Sequence, residues 1–178
     1  ELTVKPICNI NYDLNDNDDD VFTLYFENKN KFKIPKFYGL EKYGEADKIK
    51  KYEYEILKDI SFILPLREKQ IIATAICIEK LKEKGGCLLC AGCGFGKSAS
   101  ALFIWIAMNV PLLIIVHKHF LLNQWKETIE KFVPGAKIGL IQGKNIDFDG
   151  KDVVIGMLQS VCKDKYDKSV FNRFGMVI

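Results

Sequence analysis

The sequence predicts an α/β fold, a parallel sheet flanked by helices, preceded by a small N-terminal module. Three observations predict it. From Ser61 onward, stretches of helical periodicity alternate with short apolar runs. Those runs are continuously apolar, as strands covered on both faces must be. A glycine-rich stretch around Gly92, Gly94 and Gly96 stands between one such run and a helical segment. The chain has 178 residues, 48% apolar and 28% charged, which suits one globular domain or one domain with a small appendage.

The elements follow in order. Asn15 to Asp20 is acidic and reads as an exposed loop. Val21 to Phe26 alternates strand-forming residues, and Phe32 to Phe37 reads as a second strand interrupted by Pro35. Residues 41–58 are rich in lysine and glutamate and read as a loop followed by a strand or a short helix. Residues 1–60 are grouped as the accessory module, and 61–178 as the main lobe. Arg67 to Lys84 is a helix with Ile71, Ala75, Ile78 and Leu81 on one face, stopped by Gly85-Gly86. Cys87 to Cys90 is a short apolar strand. A helix runs from about Lys97 to Asn109, and Leu112 to Val116 is the next strand. His119 to Phe132 is amphipathic, with Leu122, Trp125, Ile129 and Phe132 at spacings of three and four, so Trp125 reads as core. Strands follow at Lys137 to Ile141, Asp152 to Gly156 and from Met176.

The loop between Cys90 and the following helix carries chemistry. A nucleoside triphosphate offers a row of anionic oxygens, which backbone N–H groups can cradle only where the chain turns sharply and side chains stay clear. Gly92, Gly94 and Gly96 supply that freedom. The start of the helix adds its positive dipole. Lys97 brings a cation to the β/γ-phosphates and is the expected catalytic side chain, and Ser98 offers a hydroxyl to Mg²⁺. Ala91, Gly92, Cys93, Gly94, Phe95, Gly96, Lys97, Ser98 and Ala99 together form the expected ATP cradle. The pattern is A-x-x-G-x-G-K-S, with alanine where the strict phosphate-loop pattern has glycine.

Two other patterns invite different readings. Cys87, Cys90 and Cys93 make a C-x-x-C-x-x-C run, but residues three apart on a strand point to opposite faces, and Lys97 stands where a fourth ligand would follow. Residues 99–116 carry no charge, yet Asn109 and Pro111 divide them into a buried helix and a buried strand rather than a membrane span. The cysteines sit mostly in apolar runs and no signal-peptide pattern opens the sequence, so an intracellular, reducing compartment is expected.

Net charge is +3, but unevenly placed: residues 1–20 carry −5 and the remainder +8. A basic body suits a phosphate-rich partner. Lys31-Phe32-Lys33-Ile34-Pro35-Lys36-Phe37-Tyr38 interleaves cations and rings, which would suit nucleic acid. The plainer reading, preferred here, is a strand with lysines outside and rings inside.

The motifs, taken in order, resemble those of superfamily two helicases. The alanine-first loop is the form seen there. Leu66-Arg67-Glu68-Lys69-Gln70 resembles the L-R-x-x-Q element that reads adenine, and a glutamine amide can both donate to and accept from a base edge. Ile115 to Trp125 resembles motif Ia, where His117 and Lys118 would hold a phosphate of the tracked strand. Asp152 to Val161 resembles the T-x-x-S-L motif that grips the nucleic-acid backbone; Gln159 and Ser160 match, while Met157 and Val161 depart from it. Phe174 to Ile178 resembles the strand leading into the D-E-x-H motif. The resemblance is nearest to XPB-like helicases of large DNA viruses.

The resemblance implies a partial RecA-like lobe of an ATP-dependent DNA helicase or translocase, using ATP and Mg²⁺. It implies nucleic acid as partner, DNA rather than RNA, with Arg67 and Gln70 at the nucleotide and His117, Lys118, Gln159 and Ser160 at the strand. It also implies a second RecA-like lobe, no membrane, a setting in viral transcription, replication or repair, and a location in host cytoplasm, nucleus or virion. Residues 1–178 alone are expected to be inactive in hydrolysis. A non-catalytic nucleotide- and nucleic-acid-binding module is the alternative; a small-molecule kinase would leave motif Ia and the Gln-Ser pair unexplained.

Overall fold

The computed structural model describes residues 2–4, 22–49, 52–162 and 166–178. Two compact units emerge, Glu1–Lys51 and Tyr52–Ile178. The acidic run at 15–20 lies outside the described residues.

In the first unit, β1 (Thr3–Val4) pairs antiparallel with β2 (Phe22–Thr23). Next, β3 (Phe26–Asn28) and β4 (Lys31–Lys33) form a hairpin. The Asn28 side-chain oxygen closes its turn, accepting the Asn30 and Lys31 N–H groups at 3.1 and 2.7 Å. The second strand expected over 32–37 stops at Lys33, and Phe37 lies instead in α1 (Lys36–Tyr43). Pro35 is the cause. It donates no ladder hydrogen bond, and its φ of −55° sits naturally at a helix start. The rings are not inside either: Phe26, Phe32 and Phe37 are 57%, 51% and 52% exposed. A ribbon three residues long is too small to bury rings by itself.

The second unit begins earlier than residue 60. Residues 52–60 form neither strand nor helix, but Leu57 and Ile60 pack on the main core, as does Phe62. Phe62 stacks on Phe132 at 5.6 Å and meets Phe103 edge-on at 5.5 Å. Then come α2 (Glu68–Lys84), α3 (Lys97–Met108), β5 (Leu112–Val116), α4 (His119–Phe132), β6 (Ile138–Gln142), β7 (Asn145–Asp147), β8 (Val153–Met157) and α5 (Leu158–Val161). A 3₁₀ turn at Lys168–Arg173 and β9 (Met176–Val177) follow. The sheet order is β7-β6-β8-β5-β9, parallel except for β7, which turns back on β6.

Alternation along the strands explains their apolar runs. Leu112, Ile114, Val153 and Ile155 face a core shared with Leu102, Trp105, Leu122 and Ile129 of α3 and α4. Leu113 and Val154 face the other side, under Phe171, Phe174 and Tyr166. The Asn109–Pro111 break is real: Asn109 caps α3 with φ 55°, and the indole N–H of Trp105 donates to the Val110 carbonyl at 2.9 Å. No helix among the described residues is long and apolar enough to cross a membrane.

Two sequence expectations fail here. Cys87 to Cys90 is not a strand, and Leu88 is 87% exposed. A strand needs a neighbour to receive its backbone bonds. Between this segment and β9 there is instead a hollow of about 400 Å³, lined by Cys87 and Leu89 on one side and Met176, Val177 and Ile178 on the other. In α2 the buried stripe is Gln70, Thr74 and Cys77, while Ile71 and Ala75 are exposed. Polar residues can take the inner face because their groups are satisfied: the Thr74 hydroxyl donates to the Gln70 carbonyl at 2.8 Å, and the Gln70 amide is bonded in turn.

Gly139 in β6 is tightly held, since a Cβ there would collide with the Asp147 carbonyl oxygen. Gly139→Ala is expected to cost about 1–3 kcal/mol, as overpacking does, and to lower the urea midpoint with an unchanged slope.

Candidate functional site

The expected phosphate loop is held in shape through its carbonyls. The Lys97 ammonium donates to the carbonyls of Ala91 and Gly92, both at 3.0 Å. The Arg67 guanidinium donates to the carbonyl of Gly94 at 3.0 Å and to that of Phe95. The Gln70 amide N–H₂ donates to Phe95 at 3.0 Å and to Gly96 at 3.4 Å. In a planar trans peptide the N–H points opposite to the C=O. Each held carbonyl therefore aims the next residue's N–H away from these donors. The N–H groups so turned belong to Gly92, Cys93, Phe95, Gly96 and Lys97, the residues expected to cradle phosphate.

Two glycines are required by this geometry. Gly94 and Gly96 adopt φ of 74° and 86°, where side chains are strained. A Cβ on Gly96 would also lie 2.5 Å from the Gln70 amide nitrogen. Gly92 differs from expectation: it is not in the left-handed region, and a Cβ there meets nothing within 4 Å. Gly96 is the N-cap of α3 and no side chain caps the helix, so the first-turn N–H groups, Ala99 included, complete an anion-favouring end.

Gln70 is buried and bonded to the loop. It is 5% exposed. Its carbonyl oxygen accepts the Arg67 backbone N–H at 2.8 Å and the Arg67 Nε–H at 3.4 Å, and its nitrogen holds the loop. All of its hydrogen-bonding capacity is in use. Beside it lies a hollow of about 200 Å³ lined by Arg67, Glu68, Lys69, Gln70 and Phe95, of a size to receive a planar base.

Ser98 is half-buried and lines the 400 Å³ hollow together with Lys97. Cys77 and Cys87 share that hollow; burial, and next the neighbouring Cys87 thiol, push the Cys77 thiol above its ordinary range. Among the described residues no three His, Cys, Asp or Glu side chains come together to hold a metal. A hard cation here would have the Ser98 hydroxyl and the phosphates' own oxygens, a donor set that fits Mg²⁺ in part.

The second group of expected residues sits at the carboxyl ends of β5 and β8, which pair in register from Leu112↔Val153 to Val116↔Met157. His117 and Lys118 are exposed at the turn into α4. Gln159 is exposed at the start of α5, and its amide donates to the His117 carbonyl at 2.8 Å, tying the two turns together. Ser160 does not join them. It is buried, and its hydroxyl accepts the Gly143 N–H at 2.9 Å, bracing the β6–β7 turn. Tyr166 donates to the Gly143 carbonyl of that turn at 2.7 Å, a brace no periodicity signals. Trp125 is partly buried against the core, in keeping with the structural reading.

Larger hollows, of about 480 and 620 Å³, lie at the amino ends of the strands around Pro111 and Gly150. Glu53, Glu55 and Asp149 line the first, so it suits a polyanion poorly.

Comparison with known proteins gives a family and a fold. Residues 63–178 match the family model described as type III restriction enzyme, res subunit. The chain is 36% identical, over its whole length, to a protein of Acanthamoeba polyphaga mimivirus named as an inferred ATP-dependent RNA helicase. It is 32% identical, over 64% of its length, to an inferred helicase of Invertebrate iridescent virus 3. The chain spans 34% and 36% of the lengths of these two relatives. In fold it is similar to the SWI2/SNF2 ATPase core of Sulfolobus solfataricus, solved in complex with dsDNA. That similarity has a TM-score of 0.50 at 20% identity, over 58% of this chain and 24% of the other.

If Gln70 latches the loop, Gln70→Ala weakens ATP and GTP binding alike, by about 10-fold for the bonds lost. Titration with fluorescent analogues of both nucleotides checks this; a loss confined to ATP would make Gln70 an adenine reader instead.

Proposed function

The chain belongs to the family described as type III restriction enzyme, res subunit, and from that premise we propose that the intact protein is an ATP-dependent nucleic-acid motor whose first lobe includes residues 61–178. The observation that carries the reading is the loop in which the carbonyls of Ala91, Gly92, Gly94, Phe95 and Gly96 are turned onto Arg67, Gln70 and Lys97, leaving the N–H groups that follow them and the α3 terminus for phosphates. Adenine lies in the hollow beside Phe95, and Lys97 meets the β/γ-phosphates. Ser98 would hold Mg²⁺ through its hydroxyl, and the bound metal would neutralise charge on the phosphates.

His117, Lys118 and Gln159 contact the nucleic-acid backbone. They stand where parallel strands end, the edge at which open α/β sheets bind ligands. The hydrogen bond from the Gln159 amide to the His117 carbonyl joins the two turns. Ser160 supports this edge from behind rather than touching the strand. DNA is the proposed track. The fold neighbour was solved with dsDNA, while the mimivirus relative is named for RNA. Stimulation of ATP hydrolysis in the intact protein by matched DNA and RNA oligonucleotides decides between them.

Hydrolysis also needs acidic groups to hold the metal and orient water. Residues 1–178 by themselves are expected to bind nucleotide weakly and to hydrolyse it negligibly; strong nucleic-acid stimulation of phosphate release by residues 1–178 alone would overturn this. In the intact protein, Lys97→Ala is expected to lower nucleic-acid-stimulated ATPase by on the order of 100-fold or more, as loss of a preorganised charge does. Unchanged stimulation in that variant would reduce the loop to a nucleotide-holding element of a non-catalytic module.

A further inference from the structure

We propose that the β3–β4 hairpin and the start of α1 form a single-stranded nucleic-acid contact separate from the motor lobe. The proposal rests on the reading of that lobe as a nucleic-acid motor, and extends it to a surface that lies in the other unit.

The register defines the surface. Phe26 stands opposite Lys33, and Asn28 opposite Lys31, so a ring, an amide and two ammonium groups share one face of the ribbon. Lys31 and Lys33 are two residues apart on one strand, about 6.6 Å at the usual strand rise. The Lys33 ammonium lies 5.7 Å from the Phe26 ring centre, and that of Lys36 lies 5.6 Å from the Phe37 ring centre. A cation on one side of a ring leaves the other side for stacking. On the opposite face, Tyr25 contacts Phe32 at 5.2 Å.

Exposure and charge point to the same ligand. Half or more of Phe26, Phe32 and Phe37 is open to solvent, and no residue between 23 and 49 is buried. The rings are therefore not spent on a core. Residues 25–38 hold four lysines, Lys29, Lys31, Lys33 and Lys36, against the single acid Glu27. Flat π surfaces interleaved with cations are what a chain of bases joined by phosphates requires: stacking is tolerant of sequence, and each lysine can displace a counterion. Lysines on a short exposed ribbon also oppose edge-to-edge pairing of two copies, which disfavours self-association as the use of this face.

The test is binding of labelled oligodeoxythymidine and oligouridine to the intact protein at several salt concentrations, with unlabelled polyglutamate as competitor. Three variants are compared: Phe26→Ala, the pair Lys31→Gln with Lys33→Gln, and Phe26→Trp. Phe26→Ala is expected to weaken binding at least about 5-fold. The lysine pair is expected to flatten the log–log salt slope by about 1.4. Phe26→Trp is expected to keep affinity and show fluorescence quenched by the oligonucleotide, a signal that also verifies folding. ATPase without nucleic acid should be unchanged in all three. Affinity and slope unchanged in the first two variants would overturn the proposal, as would equal displacement by polyglutamate, which would leave only a cationic patch. Lys118→Ala separates the two readings: if it weakens stimulation while the hairpin variants do nothing, the motor reading stands and this one falls. If no oligonucleotide binds or stimulates, the motor reading itself fails.

Discussion

Every carbonyl held in the glycine-rich loop is held by a side chain carrying several donors, and two of the three come from the N-cap and first turn of α2. The Gln70 amide uses both of its faces, taking the Arg67 N–H on its oxygen and giving its own hydrogens to Phe95 and Gly96. This fixes the orientation of peptide planes that would otherwise be free, because glycine does not fix them itself. It explains why α2 buries a polar stripe and exposes Ile71. It also explains why Gly96 admits no side chain, since the amide nitrogen occupies the place a Cβ would take. The loop, the start of α3 and the amino end of α2 form one hydrogen-bonded body.

The sheet supplies the second requirement, a common edge. Parallel pairing of β5 with β8 brings the turns after Val116 and Met157 side by side, and the Gln159 amide joins them across the gap. Behind that edge, Ser160 and Tyr166 both end on Gly143, so the β6–β7 turn is braced from two directions. A hydroxyl within a motif may face inward and serve the fold while its neighbour faces outward. Ser160 and Gln159 divide in this way, because successive residues at the start of a helix point in different directions.

The first unit follows a different rule. Its hairpin is too short and too thin to bury its rings, so composition that reads as a half-buried strand becomes an exposed aromatic and cationic surface. Phe26 and Lys33 meet because of register, and Phe37 leaves the strand because Pro35 ends it. These are local effects, legible residue by residue once the pairing is known.

Sequence by itself determined most of the helices and central strands of the lobe and singled out its glycine-rich loop. Leu112–Val116 and His119–Phe132 could be read to the residue, since apolar runs and helical periodicity record burial directly. The A-x-x-G-x-G-K-S pattern is legible as the candidate phosphate cradle, since glycines, a cation and a hydroxyl are the groups such a surface would use. Tertiary structure decided what depends on contacts distant in sequence. Gln70 meets Phe95 across 25 residues, and Ser160 meets Gly143 across 17. Cys87–Cys90 carries a strand's composition without a strand's hydrogen bonds, because those bonds belong to a neighbour and not to the segment itself.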